Sequence, residues 1–134
     1  MHIHFVCTGN IYRSRIAEAY LKSKNISKVK ASSSGTNAEY YSGKIISSFA
    51  TNVLREEGLL EYASRKMKQT TREVLNDADL IIFMTKEHYD WAVDSLGYKG
   101  DNYEIWDIKD IGSEEIVKSI KANVDSLVNR EIYV

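Results

Sequence analysis

Apolar residues follow two alternating patterns along the chain. Short runs bounded by turn residues predict four strands, over residues 2–6, 28–33, 79–84 and 103–106. The third run is apolar at every position after Asp79, which is typical of a parallel strand that is covered on both faces. Between these runs, apolar positions recur at the three- and four-residue spacing of amphipathic helices.

One predicted helix, the second along the chain, shows this spacing most clearly. It ends at Gly58, which is placed to take the left-handed conformation of a helix C-cap. Its stripe consists of Ile46, Phe49, Ala50, Val53 and Leu54. A polar loop that carries tyrosines precedes it and extends to Gly43. Further helices are predicted around residues 71–75, from Lys86 to the stop at Gly97, and from about Ser113.

Strands separated by helices imply right-handed crossovers and a mostly parallel sheet. We predict one α/β domain over residues 1–134, a three-layer sandwich with a four-stranded parallel sheet and helices on both faces. In such sheets ligands bind at the carboxyl ends of the strands. The loop after the first strand is therefore the first candidate site.

The composition of the chain limits the classes of partner and the cellular location that we expect. With 18 basic and 19 acidic residues the formal net charge is -1, which argues against nucleic acid or an anionic lipid surface as a partner. A lone cysteine excludes an internal disulfide, and no apolar run approaches the roughly 20 residues of a membrane span. The apolar N-terminal run is too short for a signal peptide. We expect a cytoplasmic protein without membrane insertion.

The loop at residues 7–14 has the composition of an anion cradle. Gly9 and Asn10 tolerate positive φ, which lets successive backbone N–H groups point inward, and the following helix N-terminus adds partial positive charge. Arg13 can donate two hydrogen bonds to a tetrahedral oxyanion. Helix N-termini and neighbouring cations favour the thiolate form of a cysteine, so Cys7 is a candidate nucleophile for displacement at phosphorus. The alternative is a small buried residue at a strand end.

The segment 6–14 resembles the signature of the low-molecular-weight protein tyrosine phosphatase family, whose relatives include thioredoxin-coupled arsenate reductases and bacterial protein-arginine phosphatases. Segments 33–36, 53–58, 79–84 and 107–110 also occur in that family's order. The resemblance implies Cys7 as nucleophile, with a phosphate-binding loop after strand one. It further implies roles for the residues around the nucleophile: Arg13 as phosphoryl clamp, Ser14 as donor to the thiolate, Asn10 as loop brace with Ser33 as its partner, and substrate contacts from Thr8, Gly9, Asn10, Ile11 and Tyr12.

The family's general acid is an aspartate in a late Asp-Pro pair, and Asp110-Ile111 is the matching pair here. The chain contains no proline, so the loop that carries the acid is expected to be more flexible. Asp107 is the rival, because only a carboxyl that reaches the leaving oxygen can protonate it. Either residue could instead be an ordinary loop aspartate.

Departures from the family pattern bear on the substrate. The arsenate reductases of the family relay oxidation through two further cysteines, and this chain has only Cys7, so that activity is not expected. Tyr12 stands where many of the family's phosphatases carry a second cysteine. The arginine-phosphate branch favours threonine where this chain has Ile11, so an aromatic leaving group fits better. Tyr40 or Tyr41 could supply one wall of the pocket, unless both are exposed loop residues.

We therefore predict a phosphomonoester hydrolase, most simply a protein-tyrosine phosphatase that uses a cysteinyl-phosphate intermediate and no cofactor. Phosphatases for phosphoarginine or a small metabolite, and a catalytically weak phosphate-binding module, are the alternatives. His2 and His4 form an H-x-H pair, but with no nearby carboxylate a metal site is the weaker interpretation. The sequence does not decide the oligomeric state or the natural substrate.

Overall fold

The computed structural model describes residues 1–41, 48–109 and 113–133, but not the side chains at positions 41, 48 and 113. Four parallel strands form its sheet in the order β2-β1-β3-β4. The strands are β1 (His2–Cys7), β2 (Lys30–Gly35), β3 (Leu80–Phe83) and β4 (Tyr103–Ile105). The prediction of a four-stranded parallel α/β fold is confirmed.

Six α-helices occur in the part of the chain that the structure describes. They are α1 (Arg13–Ser23), α2 (Ala38–Tyr41), α3 (Ser48–Glu56), α4 (Arg72–Asn76), α5 (Lys86–Leu96) and α6 (Ser113–Glu131). A short 3-10 helix, Leu60–Tyr62, follows α3. Gly58 and Gly97 have φ values of 71° and 70°, which is the left-handed conformation predicted at Gly58. None of these helices is long and apolar enough to span a membrane.

The segment from the end of β2 to the start of α3 differs from the prediction at α2 and at Phe49. The helix α2 forms where a polar loop was expected. Ile46, which belongs to the predicted stripe, lies outside the described residues. Phe49 was assigned to the buried stripe, but it is 52% exposed. Its ring lies beside Tyr12, with 5.7 Å between the centroids, so this side chain faces the loop after β1 instead of the core.

Alternate residues of the central strands pack on opposite faces of the sheet, as the two-residue period of a strand requires. The larger core lies on the α1 and α6 side and includes Ile3, Phe5 and Cys7 of β1. The smaller core lies on the α4 and α5 side and includes Val6. Helices therefore cover both faces, as predicted.

In the strand order, β2 is the neighbour of β1 on one side and β3 is its neighbour on the other. The direction of the strand order therefore reverses at β1, which is the switch point of the sheet. Backbone hydrogen bonds join the strand ends there. The amide of Thr36 donates to the carbonyl of Cys7 at 2.8 Å, and the amide of Ile108 donates to that of Met84 at 2.6 Å. The segment after β2 is thereby held against the end of β1, and the segment after β4 against the end of β3.

Candidate active site

Cys7 ends β1 and is 3% exposed, and the loop after it leads directly into α1. Its Sγ lies 3.0 Å from the Oγ of Ser14, in the first turn of that helix. A hydroxyl at this distance can donate to a thiolate, and the first amides of the helix add partial positive charge on the same side. The structure thus brings together the thiol and the hydroxyl that the resemblance pairs.

The backbone of the loop turns at one residue with positive φ. Asn10 has a φ of 57°, while Gly9, which was also expected to use this freedom, does not. The close approach is instead made possible by Gly35, at the end of β2. A Cβ there would lie 2.5 Å from the carbonyl oxygen of Thr8 and 2.7 Å from the amide nitrogen of Asn10. Glycine is therefore required at position 35 for β2 to back the loop.

Asn10 is completely buried and holds the loop by three hydrogen bonds. Its Nδ2 donates to the Oγ atoms of Ser14 and Ser33, each at 2.8 Å, and its Oδ1 accepts from the backbone amide of Lys68 at 2.9 Å. The partner that was expected, Ser33, is in contact. Because every polar atom of the amide is used, the loop cannot change shape without breaking buried hydrogen bonds.

Beneath the loop lies a buried carboxylate that sequence reasoning missed. Glu18 is 4% exposed, accepts a short hydrogen bond from Ser33 Oγ and forms an ion pair with Lys22 at 2.5 Å. Arg15 is also buried and donates from Nε to the carbonyl of Ser64 at 3.1 Å. Burial lowers the pKa of Arg15, and the charge of Glu18 opposes that shift. The carboxylate therefore has one cation a turn before it and another a turn after it on α1.

Arg13 connects the loop to the segment after β4. Its guanidinium donates from Nη1 to the carbonyl of Ile108 at 2.9 Å and reaches Thr8 Oγ1 from Nη2 at 3.4 Å. The residue is 7% exposed. An arginine held in this way is already oriented beside the loop, so little side-chain entropy is lost when an oxyanion binds.

His88, in the first turn of α5, is a second residue that sequence reasoning did not place at the site. Its Nε2 lies 2.9 Å from Thr8 Oγ1. Burial, and after it the charge of Arg13, lower the pKa of His88 to about 4, so the imidazole is neutral near pH 7. A capping box that joins it to Thr85 fixes its place at the start of α5.

An open cavity of about 330 Å³ lies beside the loop, and its lining is mostly charged. The lining residues are Thr8, Arg13, Thr85, Lys86, Glu87, His88, Asp107 and Lys109. Asp107, with a φ of 51°, therefore borders the same space as Arg13. Asp110, the preferred candidate for the general acid, lies outside the described residues.

Tyr40 and Tyr41, the candidates for an aromatic wall of the site, both belong to α2. Tyr40 is 61% exposed on α2, and the side chain of Tyr41 is outside the described part. The loop residue Tyr12 is half-buried and lies against Phe49. Ile11, the residue before Tyr12 in the loop, is also half-buried.

The H-x-H pair is occupied by hydrogen bonds. His2 Nε2 and His4 Nδ1 both lie 2.6 Å from the Oγ of Ser32, and His4 Nε2 lies 2.7 Å from that of Ser34. Within residues 1–41, 48–109 and 113–133, no group of three possible metal ligands occurs. The spacing that suggested a metal site places both rings on one face, next to the serines of β2.

Fold and site together define a class: a parallel α/β protein whose first strand ends in a cysteine and is followed by a loop that contains an oriented arginine. The family model for low molecular weight phosphotyrosine protein phosphatase matches residues 2–129. The chain belongs to this family, and the predicted membership among its phosphatases is confirmed.

Individual relatives include enzymes of two specificities. The low molecular weight protein-tyrosine-phosphatase PtpB of Staphylococcus haemolyticus is 34% identical over 127 residues, 94% of this chain and 86% of that one. The protein-arginine-phosphatase of Geobacillus stearothermophilus is 36% identical over 92 residues, 69% of this chain and only 60% of that one. The crystal structure of the low molecular weight protein tyrosine phosphatase from T. tengcongensis superposes with a TM-score of 0.81 at 28% identity, covering 97% of this chain and 99% of that chain.

Proposed function

We propose that the protein, as one domain over residues 1–134, hydrolyses phosphomonoesters with Cys7 as the nucleophile. The observation that carries this proposal is the placement of the Cys7 Sγ at 3.0 Å from Ser14 Oγ, in a loop that Arg13 and Asn10 hold in shape. A thiol alone at a strand end would need none of these partners. Together they match what a phosphoryl-transfer site requires, a nucleophile, oxyanion donors and a stabilised leaving thiolate.

The reaction has two displacements at phosphorus. In the first, the thiolate of Cys7 forms an S–P bond while the P–O bond to the leaving group breaks, and Asp110 protonates the departing oxygen. In the second, water attacks phosphorus, the S–P bond breaks, and the same carboxylate accepts the proton from water. Ser14 then donates to the thiolate that is released. Arg13 and the loop amides bind the phosphoryl oxygens in both steps.

Phosphotyrosine in proteins is the proposed substrate class. Two loop residues, Ile11 and Tyr12, and the ring of Phe49 that lies beside Tyr12 provide apolar surface next to the nucleophile that suits an aromatic leaving group. The tyrosine-specific relative from Staphylococcus haemolyticus aligns over nearly the whole chain, which supports the same choice. We propose that the enzyme acts in the cytoplasm, where phosphorylated proteins are its partners.

A second candidate, phosphoarginine, rests on a separate observation. Glu87 and Asp107 both border the cavity beside Arg13, and carboxylates are natural acceptors for the N–H groups of a guanidinium leaving group. The Geobacillus stearothermophilus relative, an arginine phosphatase, is consistent with this possibility. Matched phosphotyrosine and phosphoarginine peptides separate the two: we expect the higher kcat/KM on phosphotyrosine, and the opposite order would assign the second function.

The mechanism is tested by hydrolysis of p-nitrophenyl phosphate near pH 6 in the presence of a chelator. We expect Cys7→Ser to lower kcat by more than about a thousandfold, because an alcohol is a far weaker nucleophile here. Asp110→Asn should lower kcat by about a hundredfold, the usual range for loss of a general acid, while Asp107→Asn is the matched control.

Two outcomes would contradict the mechanism. If Cys7→Ser retains native turnover, the cysteine is not the nucleophile. If Asp107→Asn is the more damaged carboxylate variant, the acid has been assigned to the wrong residue. A native protein that binds phosphate or vanadate without turnover would instead be a phosphate-binding module.

A further inference from the structure

His88 is a buried group at the site for which the proposed chemistry has no use. It is 4% exposed, and each nitrogen of its ring has a partner. Nδ1 lies 3.1 Å from the backbone nitrogen of Thr85, and Nε2 lies 2.9 Å from Thr8 Oγ1. The contact with Thr8 spans 80 residues of sequence and joins α5 to the loop next to the nucleophile.

The contact with Thr85 determines which nitrogen carries the proton. The amide of Thr85 donates to Nδ1, and the Thr85 Oγ1, 3.1 Å from the same nitrogen, can donate to it as well. A backbone N–H cannot donate to a protonated nitrogen, so Nδ1 holds no hydrogen. A neutral imidazole then has its single proton on Nε2. The neutral form prevails near pH 7, because burial and the charge of Arg13 lower the pKa of His88 to about 4. His88 therefore donates to Thr8 and does not accept from it.

The hydroxyl of Thr8 consequently has a defined direction. Its oxygen accepts from His88 and, more weakly, from Arg13 Nη2 at 3.4 Å. A hydroxyl can accept two hydrogen bonds and donate one, so its own proton is directed away from both donors. No side chain or carbonyl in the described part of the chain receives that proton, and Thr8 borders the open cavity.

We propose that His88 is a positioning residue for anion binding, which orients the Thr8 hydroxyl so that its proton is offered to an oxygen of the bound phosphoryl group. The inference rests on the proposed use of this loop for phosphate. A donor to a phosphoryl oxygen acts on the bound substrate and on the transition state alike. His88 should therefore strengthen the binding of phosphate and substrate and leave kcat nearly unchanged.

Two amide variants separate the contacts of the ring. The side-chain amide of His88→Gln extends to the position of Nε2 and keeps a donor for Thr8. That of His88→Asn extends only to the position of Nδ1, so it keeps an acceptor for the Thr85 amide but no donor for Thr8. Both variants leave a polar side chain at the start of α5. Phosphate affinity that is higher in the Gln variant than in the Asn variant therefore reports on the contact with Thr8, and the opposite order reports on the contact with Thr85.

The measurements are the dissociation constant of inorganic phosphate by calorimetry and the KM and kcat for p-nitrophenyl phosphate. For His88→Asn we expect both the phosphate Kd and KM to rise about tenfold, with kcat within about twofold of native. His88→Gln should recover most of the affinity. Thr8→Val should reproduce the loss, Thr8→Ser should not, and His88→Asn should add little to Thr8→Val because both remove the same donor.

Equal phosphate affinity in the native protein and His88→Asn would overturn the inference, whatever the change in melting temperature. Equal losses in the Asn and Gln variants would also overturn it, because only one of them lacks the donor. If the native protein binds phosphate but hydrolyses nothing, the proposed function fails while the phosphate titrations still decide the role of His88. If it binds no phosphate, both proposals are wrong.

Discussion

Three consecutive serines of β2 serve two separate hydrogen-bond networks, because neighbouring residues of a strand face opposite sides of the sheet. Ser33 faces α1, and Ser32 and Ser34 face the opposite side. The cradle network consists of Glu18, Ser33, Asn10, Ser14 and Cys7. The histidine network consists of His2, Ser32, His4, Ser34 and Thr70.

Both networks contain completely buried members, but they end on different groups. The cradle network ends on the thiol of Cys7, the proposed nucleophile. The histidine network ends on Thr70, which is 2% exposed, and its central members His4 and Ser34 are completely buried. Burial with hydrogen bonds therefore does not by itself identify a functional residue. We expect the loss of a hydrogen bond in the cradle network to lower catalytic activity, and the loss of one in the histidine network to lower stability alone.

The largest expected effect is the response of the histidine network to acid. Burial first, and then the charges of His2 and Lys68, lower the pKa of His4 from 6.5 to about 3. Protons therefore bind the unfolded chain more readily, so stability is intact above about pH 6.5 and is lost progressively as pH falls toward 3. At about 1.4 kcal/mol per pKa unit, the full loss is about 5 kcal/mol.

Urea unfolding of the native protein and of His4→Gln, measured from pH 7 down to pH 4, tests this expectation. The variant is less stable at pH 7 but should lose less with each unit of acidification, because it has no histidine to protonate at this position. Carboxylates and His88 contribute equally to both proteins, so the difference between the two curves reports on His4 together with its interaction with His2. Parallel curves would mean that His4 is already accessible to protons in the folded protein.

The next effect compares the serines directly. Ser34→Ala should lower the free energy of unfolding by about 2 kcal/mol, because it removes a partner from both His4 Nε2 and Thr70 Oγ1, which are buried. We expect kcat/KM to stay within about twofold of native at temperatures where the variant is folded.

Ser33→Ala should combine a stability loss of about 1 kcal/mol with a loss of about tenfold in kcat/KM. The hydroxyl of Ser33 links Glu18 to Asn10, and Asn10 in turn contacts Ser14. Calorimetric melting together with p-nitrophenyl phosphate kinetics measures both quantities on both variants. If the two substitutions affect activity equally, the division into a catalytic and a structural network is wrong.

The fold was predictable because it rests on local patterns. The buried run of β3, the helical stripes and the stop at Gly58 each need only a few neighbouring residues to be recognised. The loop after β1 was predictable for the same reason, since Cys7, Asn10 and Arg13 lie within seven positions. Phe49 was misplaced because helical spacing identifies an apolar face but not what that face meets.

The supporting residues were missed because their partners are distant in sequence. His88 contacts Thr8 across 80 positions, and nothing in the sequence around α5 indicates that contact. Gly35 has its role only because the end of β2 lies against the loop. His2 and His4 were correctly placed on one face, but their partner Ser32 depends on the register between β1 and β2. Such contacts depend on which strands and loops become neighbours in the folded protein, and local sequence patterns do not show this.

The smallest effect is expected at the exposed end of the histidine network. The carboxylate of Asp77 lies 3.4 Å from His2 Nδ1, but its side chain is 70% exposed. The backbone carbonyl of Asp77 is closer, at 3.0 Å, and any substitution retains it. Asp77→Asn should therefore change the free energy of unfolding by no more than about 0.5 kcal/mol at pH 7. A loss above about 1 kcal/mol in urea unfolding would show that the network depends on a surface charge, and not only on its buried hydrogen bonds.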